Sequence, residues 1–470
     1  MMMEAGEAAV HAAWGDSLEL LRAARAETSV RPDERMAGDD GALRSSPPPE
    51  RYRLGPVIGV GGTATVYAAE QLALQRQVAI KVSSSAHRRE AFRAEAVTIA
   101  ELEHPNIVPV YDAGADWLVM KRIRGRNLEQ LLSEGAIGLV EAVEALVKVC
   151  DAVAYAHSRG IIHRDIKPDN ILIGDYGEVL LTDWGLAVAI EEGVESRPRT
   201  QRLGEVTAVT AGTPSYMAPE VALGDRTRIG RATDVFLIGA TLYRCLAGRP
   251  PFTAASALDA VVQAAWNQHT PLSALRPDAP PLLLAVVERA MATDPVERPR
   301  VIDVQDRLKR WLHQSRGEAE ARRLLAFADE AMASAQRTER PEDTYARYGE
   351  ALSLLERASV LAPDDPRIAQ RSRECLQRFM LAAAAAGETG LARLLRRGVR
   401  PPVVGPEDER IVAQIAELQR ERIHLLDRLE TMQRRLDDER TRLAALRRLR
   451  WLAVIGAAVG GLLVGWWLAG

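Results

Sequence analysis

Eight consecutive residues, His163-Arg164-Asp165-Ile166-Lys167-Pro168-Asp169-Asn170, constrain this chain more than any other stretch. They follow the apolar pair Ile161-Ile162 and set a carboxylate, an ammonium and a carboxamide within one short loop. Three such groups can be aimed at a single reacting centre. A polar turn closing an apolar strand is the plain structural alternative, and companions elsewhere in the chain decide between the two.

The companions arrive in order. From Tyr52 the pattern reads strand, glycine turn, strand: Val57-Ile58, then Gly59-Val60-Gly61-Gly62-Thr63-Ala64-Thr65, then Val66-Tyr67-Ala68. A turn without bulky side chains can lay backbone N–H groups over phosphates. About fifteen residues on, Gln77-Val78-Ala79-Ile80-Lys81-Val82 reads as a strand, and Phe92-Arg93-Ala94-Glu95 opens a helix whose apolar positions continue through Ile99 and Leu102. After the eight-residue loop, Ile171–Ile173 and Val179–Leu181 read as a hairpin delivering Thr182-Asp183-Trp184-Gly185. A long polar segment then leads to Gly212-Thr213-Pro214 and Ala218-Pro219-Glu220, followed by Asp234 and Arg298.

These motifs resemble those of the protein kinases, over about residues 52 to 312. The loop matches H-R-D-x-x-x-x-N, Lys81 stands in V-A-I-K, and the A-P-E triplet is intact. The pattern G-x-G-x-x-G-x-V is met at Gly59, Gly61 and Val66, with Ala64 as its third position, and Trp184 replaces the Phe of D-F-G. The chain is identified as similar to bacterial, eukaryotic-like serine/threonine kinases. The resemblance implies an α+β, bilobal protein-kinase fold, a β-rich lobe over a helical one. It implies ATP as substrate with Mg²⁺, protein Ser/Thr hydroxyls as acceptors, and signalling as the role. It makes Asp165 the group that orients or deprotonates the hydroxyl and Lys167 the neutraliser of the γ-phosphoryl. Asn170 and Asp183 would hold magnesium, Lys81 would clamp ATP with Glu95 as its helix partner, and Ile58, Gly59, Val60, Gly61, Gly62, Thr63, Ala64 and Val66 would cover the nucleotide. Lys121-Arg122-Ile123-Arg124-Gly125 falls where the family holds adenine by main-chain groups. Asp234 and Arg298 fall on scaffold positions, Arg298 pairing with Glu220. Arg164, beside Asp165, implies a phosphate on the segment from Glu191 to Thr213, at Thr207 or Thr210.

Composition narrows the partners. Only Lys81, Lys121, Lys148, Lys167 and Lys309 are lysines among 61 basic residues, and two of the five fall where a compact ammonium is wanted beside phosphate. A net charge of −3 argues against bulk affinity for nucleic acid. Cys150, Cys245 and Cys375 are too few and scattered for a disulfide framework or zinc site, which fits a reducing cytoplasm. Residues 1–50 carry one amphipathic stretch around Leu18, Leu20 and Leu21, then turn acidic and proline-rich; they read as a disordered arm rather than a secretory signal.

Downstream, residues 317–400 read as helix upon helix, with Glu350 through Leu361 to Pro363 resembling part of a tetratricopeptide repeat, an ordinary helical bundle being the alternative. Residues 409–449 keep a 3,4-spaced apolar register that predicts a coiled coil, and 451–469 form an uncharged run long enough to cross a bilayer. The basic flank before Trp451 predicts a single-pass cell-membrane anchor with the kinase domain in the cytoplasm. Gly456/Gly460 and Gly461/Gly465 add small-residue pairs that predict a homodimer. Two rival functions are a pseudokinase scaffold, suggested by Ala64 and Trp184, and a small-molecule phosphotransferase, which would lack the A-P-E segment.

Overall fold

The computed structural model describes residues 47–48, 50–61, 64–84, 89–190, 203, 211–388, 390–391 and 395. Residues 1–46 of the expected arm, Gly62, Thr63, Thr207, Thr210, the coiled coil 409–449 and the span 451–469 lie outside the described residues. Among the described residues no helix is long and apolar enough to cross a membrane. The chain divides into two units, one running to Leu324 with Arg357–Asp364, the other Leu325–Glu356 with the chain from Asp365.

The first unit opens with strands β1 (Tyr52–Val60), β2 (Ala64–Gln71) and β3 (Arg76–Ser83), helix α1 (Arg89–Glu101), and strands β4 (Val110–Ala113) and β5 (Trp117–Lys121). They make one antiparallel sheet in the order β1-β2-β3-β5-β4. The two-residue alternation of a strand explains β3. Val78, Ile80 and Val82 pack on one face with Tyr52, Trp117 and Val119, so Lys81 is turned to the other, directly opposite Leu118 of β5. The glycine turn is shorter than its sequence suggests. β1 runs on to Val60 and β2 already begins at Ala64, whose side chain is buried in the main core. A methyl group at the third glycine position is therefore spent on packing. Helix α1 buries positions 92, 95, 96 and 99, one helical face, and so carries the Glu95 carboxylate inward among apolar neighbours.

The helical part follows through β6 (Gly125–Asn127), α2 (Leu128–Ser133), α3 (Leu139–Ser158), β7 (Ile161–Ile162), β8 (Ile171–Gly174), β9 (Val179–Leu181), β10 (Val188–Ala189), α4 (Pro219–Ala222) and α5 (Arg231–Ala247). Helices α6 (Ala257–Ala265), α7 (Leu272–Leu275), α8 (Pro281–Ala290) and α9 (Val301–Arg337) come next; α9 runs unbroken through residue 312. Asn127 caps α2 in a reciprocal box with Gln130. Gly125 is required where β6 meets β8: its φ is +158° and a Cβ there would sit 2.1 Å from the Ile173 carbonyl oxygen. Helix α5 is apolar almost all round and correspondingly buried, the mark of a helix at the centre of a domain. The two lobes are stitched by main chain: Leu181 N donates to Asn106 O at 2.8 Å, and the Asn106 side chain donates to Val179 O at 2.9 Å.

The expected Glu220–Arg298 pair is present and almost wholly enclosed, with side-chain exposures of 1% and 0%. Two parallel bonds of 2.7 and 2.8 Å join them, Thr233 donates to the same carboxylate, and Arg298 also donates to the carbonyls of Ala232, Ala292 and Thr293. Helices α10 (Pro341–Leu361), which contains Glu350–Leu361, and α11 (Pro366–Ala385) appose Tyr348 and Phe379, both of the second unit, with ring centroids 5.5 Å apart. Asp365 caps α11 through the Arg367 N–H.

Removing one member of an enclosed ion pair strands the other without solvent. Arg298→Ala is expected to lower stability by about 3–5 kcal/mol, read as a shift of the denaturation midpoint. The exposed Arg300–Asp303 pair is the control, and Arg300→Ala should leave the midpoint in place.

Candidate active site

Asp234, on α5, is the post around which the eight-residue loop turns. Its fully buried carboxylate accepts the N–H groups of His163 and Arg164 at 2.9 and 2.8 Å, and a bond from His157 Nε2 at 2.8 Å. Burial alone would raise this carboxyl; His157, His163 and the Arg164 N–H outweigh it and hold the pKa below the ordinary aspartate value. An ionised carboxylate can only accept, so His157 Nε2 carries the proton. Arg164 sits at φ +70°, a left-handed conformation that costs a bulky residue free energy, and the Asp234 bonds offset that strain.

His163 is equally determined. Its Nδ1 accepts the Asp165 N–H at 3.2 Å, so Nε2 holds the proton and donates to Thr182 O at 3.1 Å. Burial lowers its pKa, which agrees with this neutral tautomer. The ring lies against Trp184, centroids 4.5 Å apart, and Trp184 is 1% exposed with its indole N–H 3.4 Å from Leu181 O. The larger aromatic is accommodated behind Asp183.

Asp165 is held on both oxygens. Thr213 donates to Oδ1 at 2.9 Å, while Lys167 at 2.8 Å and Asn170 Nδ2 at 3.0 Å reach Oδ2. Asn170 Nδ2 also donates to Asp165 O at 2.7 Å, so its Oδ1 remains the available atom. Lys167 donates a further bond to Thr213 Oγ1. Thr213 is the residue that sequence reasoning missed. In the sequence it only leads into Pro214, and its partner lies 48 residues away.

Lys81 occupies the other side. Its ammonium is 2.7 Å from Glu95 Oε1 and 2.9 Å from Asp183 Oδ1. Burial works to lower the lysine pKa, but Glu95 and Asp183 overcome it and keep the ammonium above the ordinary lysine value. Burial raises Glu95 even with Lys81 beside it. Asp183 ends below its ordinary value, because Lys81 outweighs burial there. It too is left-handed, φ +61°.

The structure therefore brings Lys81, Glu95 and Asp183 into one ion triad and Asp165, Lys167 and Asn170 into a second cluster, with His163 bonded to elements of both. Of the residues expected to cover a nucleotide, Ile58, Gly59, Val60 and Gly61 form the end of β1 and the start of the turn, Val66 of β2 pairs with Gly59, and Ala64 is turned into the core.

Asp183 is held low by Lys81, so the stability of its ionised form is present above the ordinary aspartate range, around pH 4, and is lost as pH falls through the depressed folded value. Lys81→Met leaves burial as the dominant influence. The Asp183 carboxyl should then titrate above its ordinary value, and carboxylate-detected NMR of the variant would register an unmoved pKa if Lys81 were not the cause.

Comparison with known proteins agrees with this geometry. Residues 52–308 match the family model described as the protein kinase domain. A probable serine/threonine-protein kinase of Corynebacterium efficiens is 36% identical over 267 residues, 53% of this chain and 39% of that protein. The serine/threonine-protein kinase PknB of Mycobacterium tuberculosis is 36% identical over 263 residues, 53% of this chain and 41% of its own. A probable PknB of Bifidobacterium longum is 34% identical over 263 residues, 52% of this chain and 37% of its own. The chain thus spans about two-fifths of the length of the curated relatives it matches. With more than half of its residues under the domain model and the motif side chains gathered at one centre, the chain belongs to the protein kinase family.

Proposed function

We propose that this protein transfers the γ-phosphoryl group of ATP to serine and threonine hydroxyls of proteins. The observation that carries the reading is the orientation of Asp165, both of whose oxygens are engaged by Thr213, Lys167 and Asn170. A carboxylate positioned in this way can accept the proton of an incoming hydroxyl as its oxygen bonds to phosphorus and the bond to the bridging oxygen of ADP breaks. Lys167, beside it, is placed to offset the negative charge of the transferred group. Lys81, fixed by Glu95, serves the α- and β-phosphates. The pseudokinase reading is not favoured, since Lys81, Asp165, Asn170 and Asp183 are all present.

The donor set suits magnesium. Among the described residues no group of three or more His, Cys, Asp or Glu forms a metal cage. The free Oδ1 of Asn170 and the half-exposed Asp183 carboxylate instead offer hard oxygens for a metal that arrives with the nucleotide. Magnesium bound there would neutralise phosphate charge. Asp183 would trade its Lys81 contact for that ligation, and Asn170 would keep its grip on Asp165 through Nδ2.

Arg164 supports a regulatory phosphate on the segment before Thr213. Arg164 is buried, and Arg226 lies close enough to lower its pKa further after burial, a basic setting that suits a phosphate. Asp165→Asn should cut phosphoryl transfer about 10²–10⁴-fold, and Thr213→Ala should lower kcat more than it raises KM for ATP. Mass spectrometry of the parent protein after incubation with Mg²⁺ and ATP should find phosphate on Thr207 or Thr210. Transfer by Asp165→Asn within tenfold of the parent would overturn the assignment.

The region beyond residue 400 supports a membrane-anchored dimer with the kinase domain on the cytoplasmic side. Its arginine-rich flank precedes an apolar run bearing small-residue pairs, and a heptad register leads into it. Full-length protein should sediment with membranes until detergent is added, and cross-linking in those membranes should trap dimers. Release by high salt alone would count against the anchor.

A further inference from the structure

A cleft of about 490 Å³ opens between α1 and the edge strand β4, away from the ion triad. One face of α1 lines it with Arg93, Ala96, Val97 and Ala100, and β4 contributes Val110 and Ala113. Small apolar side chains make up most of the lining, with Tyr111 and the charged Arg93 and Asp112 among them. Arg93 is exposed at its rim, and no described residue pairs with its guanidinium. The volume lies within the range of roughly 300–1,000 Å³ typical of ligand pockets.

The chain itself is delivered to this rim. Pro47 is buried, and Arg51 N and Tyr52 N both bond to Pro48 O. The Arg51 guanidinium and the Tyr52 hydroxyl each lie 2.7 Å from the same carboxylate, Asp112, which also lines the cleft. Arg51 and Tyr52 thus tie the start of the described chain to β4.

We propose that the segment around residues 7–21 of this same chain occupies the cleft as an amphipathic helix. Glu7, Val10, Trp14, Leu18 and Leu21 recur at spacings of three and four, which puts them on one face of a helix. Trp14 and the two leucines supply the bulk that an alanine-lined groove lacks. Glu7, at the end of the stripe, supplies the carboxylate for Arg93. The 26 residues from Leu21 to Pro47 span roughly 30 Å as a coil, so tethering holds the segment at a high effective concentration. Docking clamps α1 against β4. Because α1 carries Glu95, the clamp favours the Lys81–Glu95 pair and couples the arm to the nucleotide site.

The test is hydrogen–deuterium exchange on full-length Asp165→Asn protein, where phosphoryl transfer cannot affect the result and a failure here is independent of the proposed activity. Leu18→Asp in the arm and Ala100→Arg in the cleft should each speed exchange in Arg89–Glu101 about tenfold, with α3 and α5 unchanged as the control for folding. The double variant should exchange no faster than the more affected single one, because both remove one shared contact. A second reading comes from Leu18→Cys with Ala100→Cys, which should close a disulfide within one chain on mild oxidation. Unchanged α1 exchange in Leu18→Asp, additive effects, or absence of that disulfide would overturn the proposal. Disulfide-linked dimers, or exchange that rises on dilution, would also overturn it by assigning the cleft to a second copy.

Discussion

The geometry of the site depends on one buried carboxylate, Asp234. An ionised group with no exposure to solvent is costly unless every lone pair finds a donor. Here the donors are two consecutive backbone N–H groups of the loop and one histidine. Satisfying Asp234 and bending the loop are thus the same event: the carboxylate cannot remain buried and charged unless His163 and Arg164 present their N–H groups to it. The strained conformation of Arg164 persists because this requirement over-determines it.

From that post, order passes outward through short bonds. The loop orients His163, His163 receives the Asp165 N–H and donates to Thr182 O, and Thr182 leads into Asp183 and Trp184. Trp184 then fills the space behind both. The ion triad is a separate electrostatic unit. Three charges share a poorly solvated space, and the single ammonium of Lys81 must serve two carboxylates. The outcome differs between them: the more deeply buried Glu95 ends with a raised pKa and the half-exposed Asp183 with a lowered one. The more exposed of the two, Asp183, is the one we propose leaves Lys81 for a metal.

Much of this was legible in the chain because its motifs are local. A loop that keeps Asp165, Lys167 and Asn170 within six residues carries its own geometry, and the alternation Val78-Ala79-Ile80-Lys81-Val82 already says which way the lysine points. Glu95 was indicated by the resemblance, which makes it the helix partner of Lys81, and not by spacing alone, since Glu90 and Glu101 share its stretch. Thr213 and His157 were not. Each meets its partner across dozens of residues, 48 for Thr213 to Asp165 and 77 for His157 to Asp234, and nothing in the flanking sequence marks either as more than a polar residue near a turn or helix end. The extent of the glycine turn is hidden for a related reason: alanine at position 64 looks like a weakened glycine until the fold buries its methyl group in the main core.

By itself, then, the sequence determined which elements form, which face of each is apolar, and which chemical groups the central loop carries, because these follow from periodicity and from neighbours along the chain. Tertiary structure alone decided which oxygen of Asp165 each donor takes, how Lys81 is divided between two carboxylates, and that a cleft remains open between α1 and β4. Those are properties of surfaces brought together from distant segments. Their burial and dielectric environment, and the competition for shared donors, do not exist until the chain has folded.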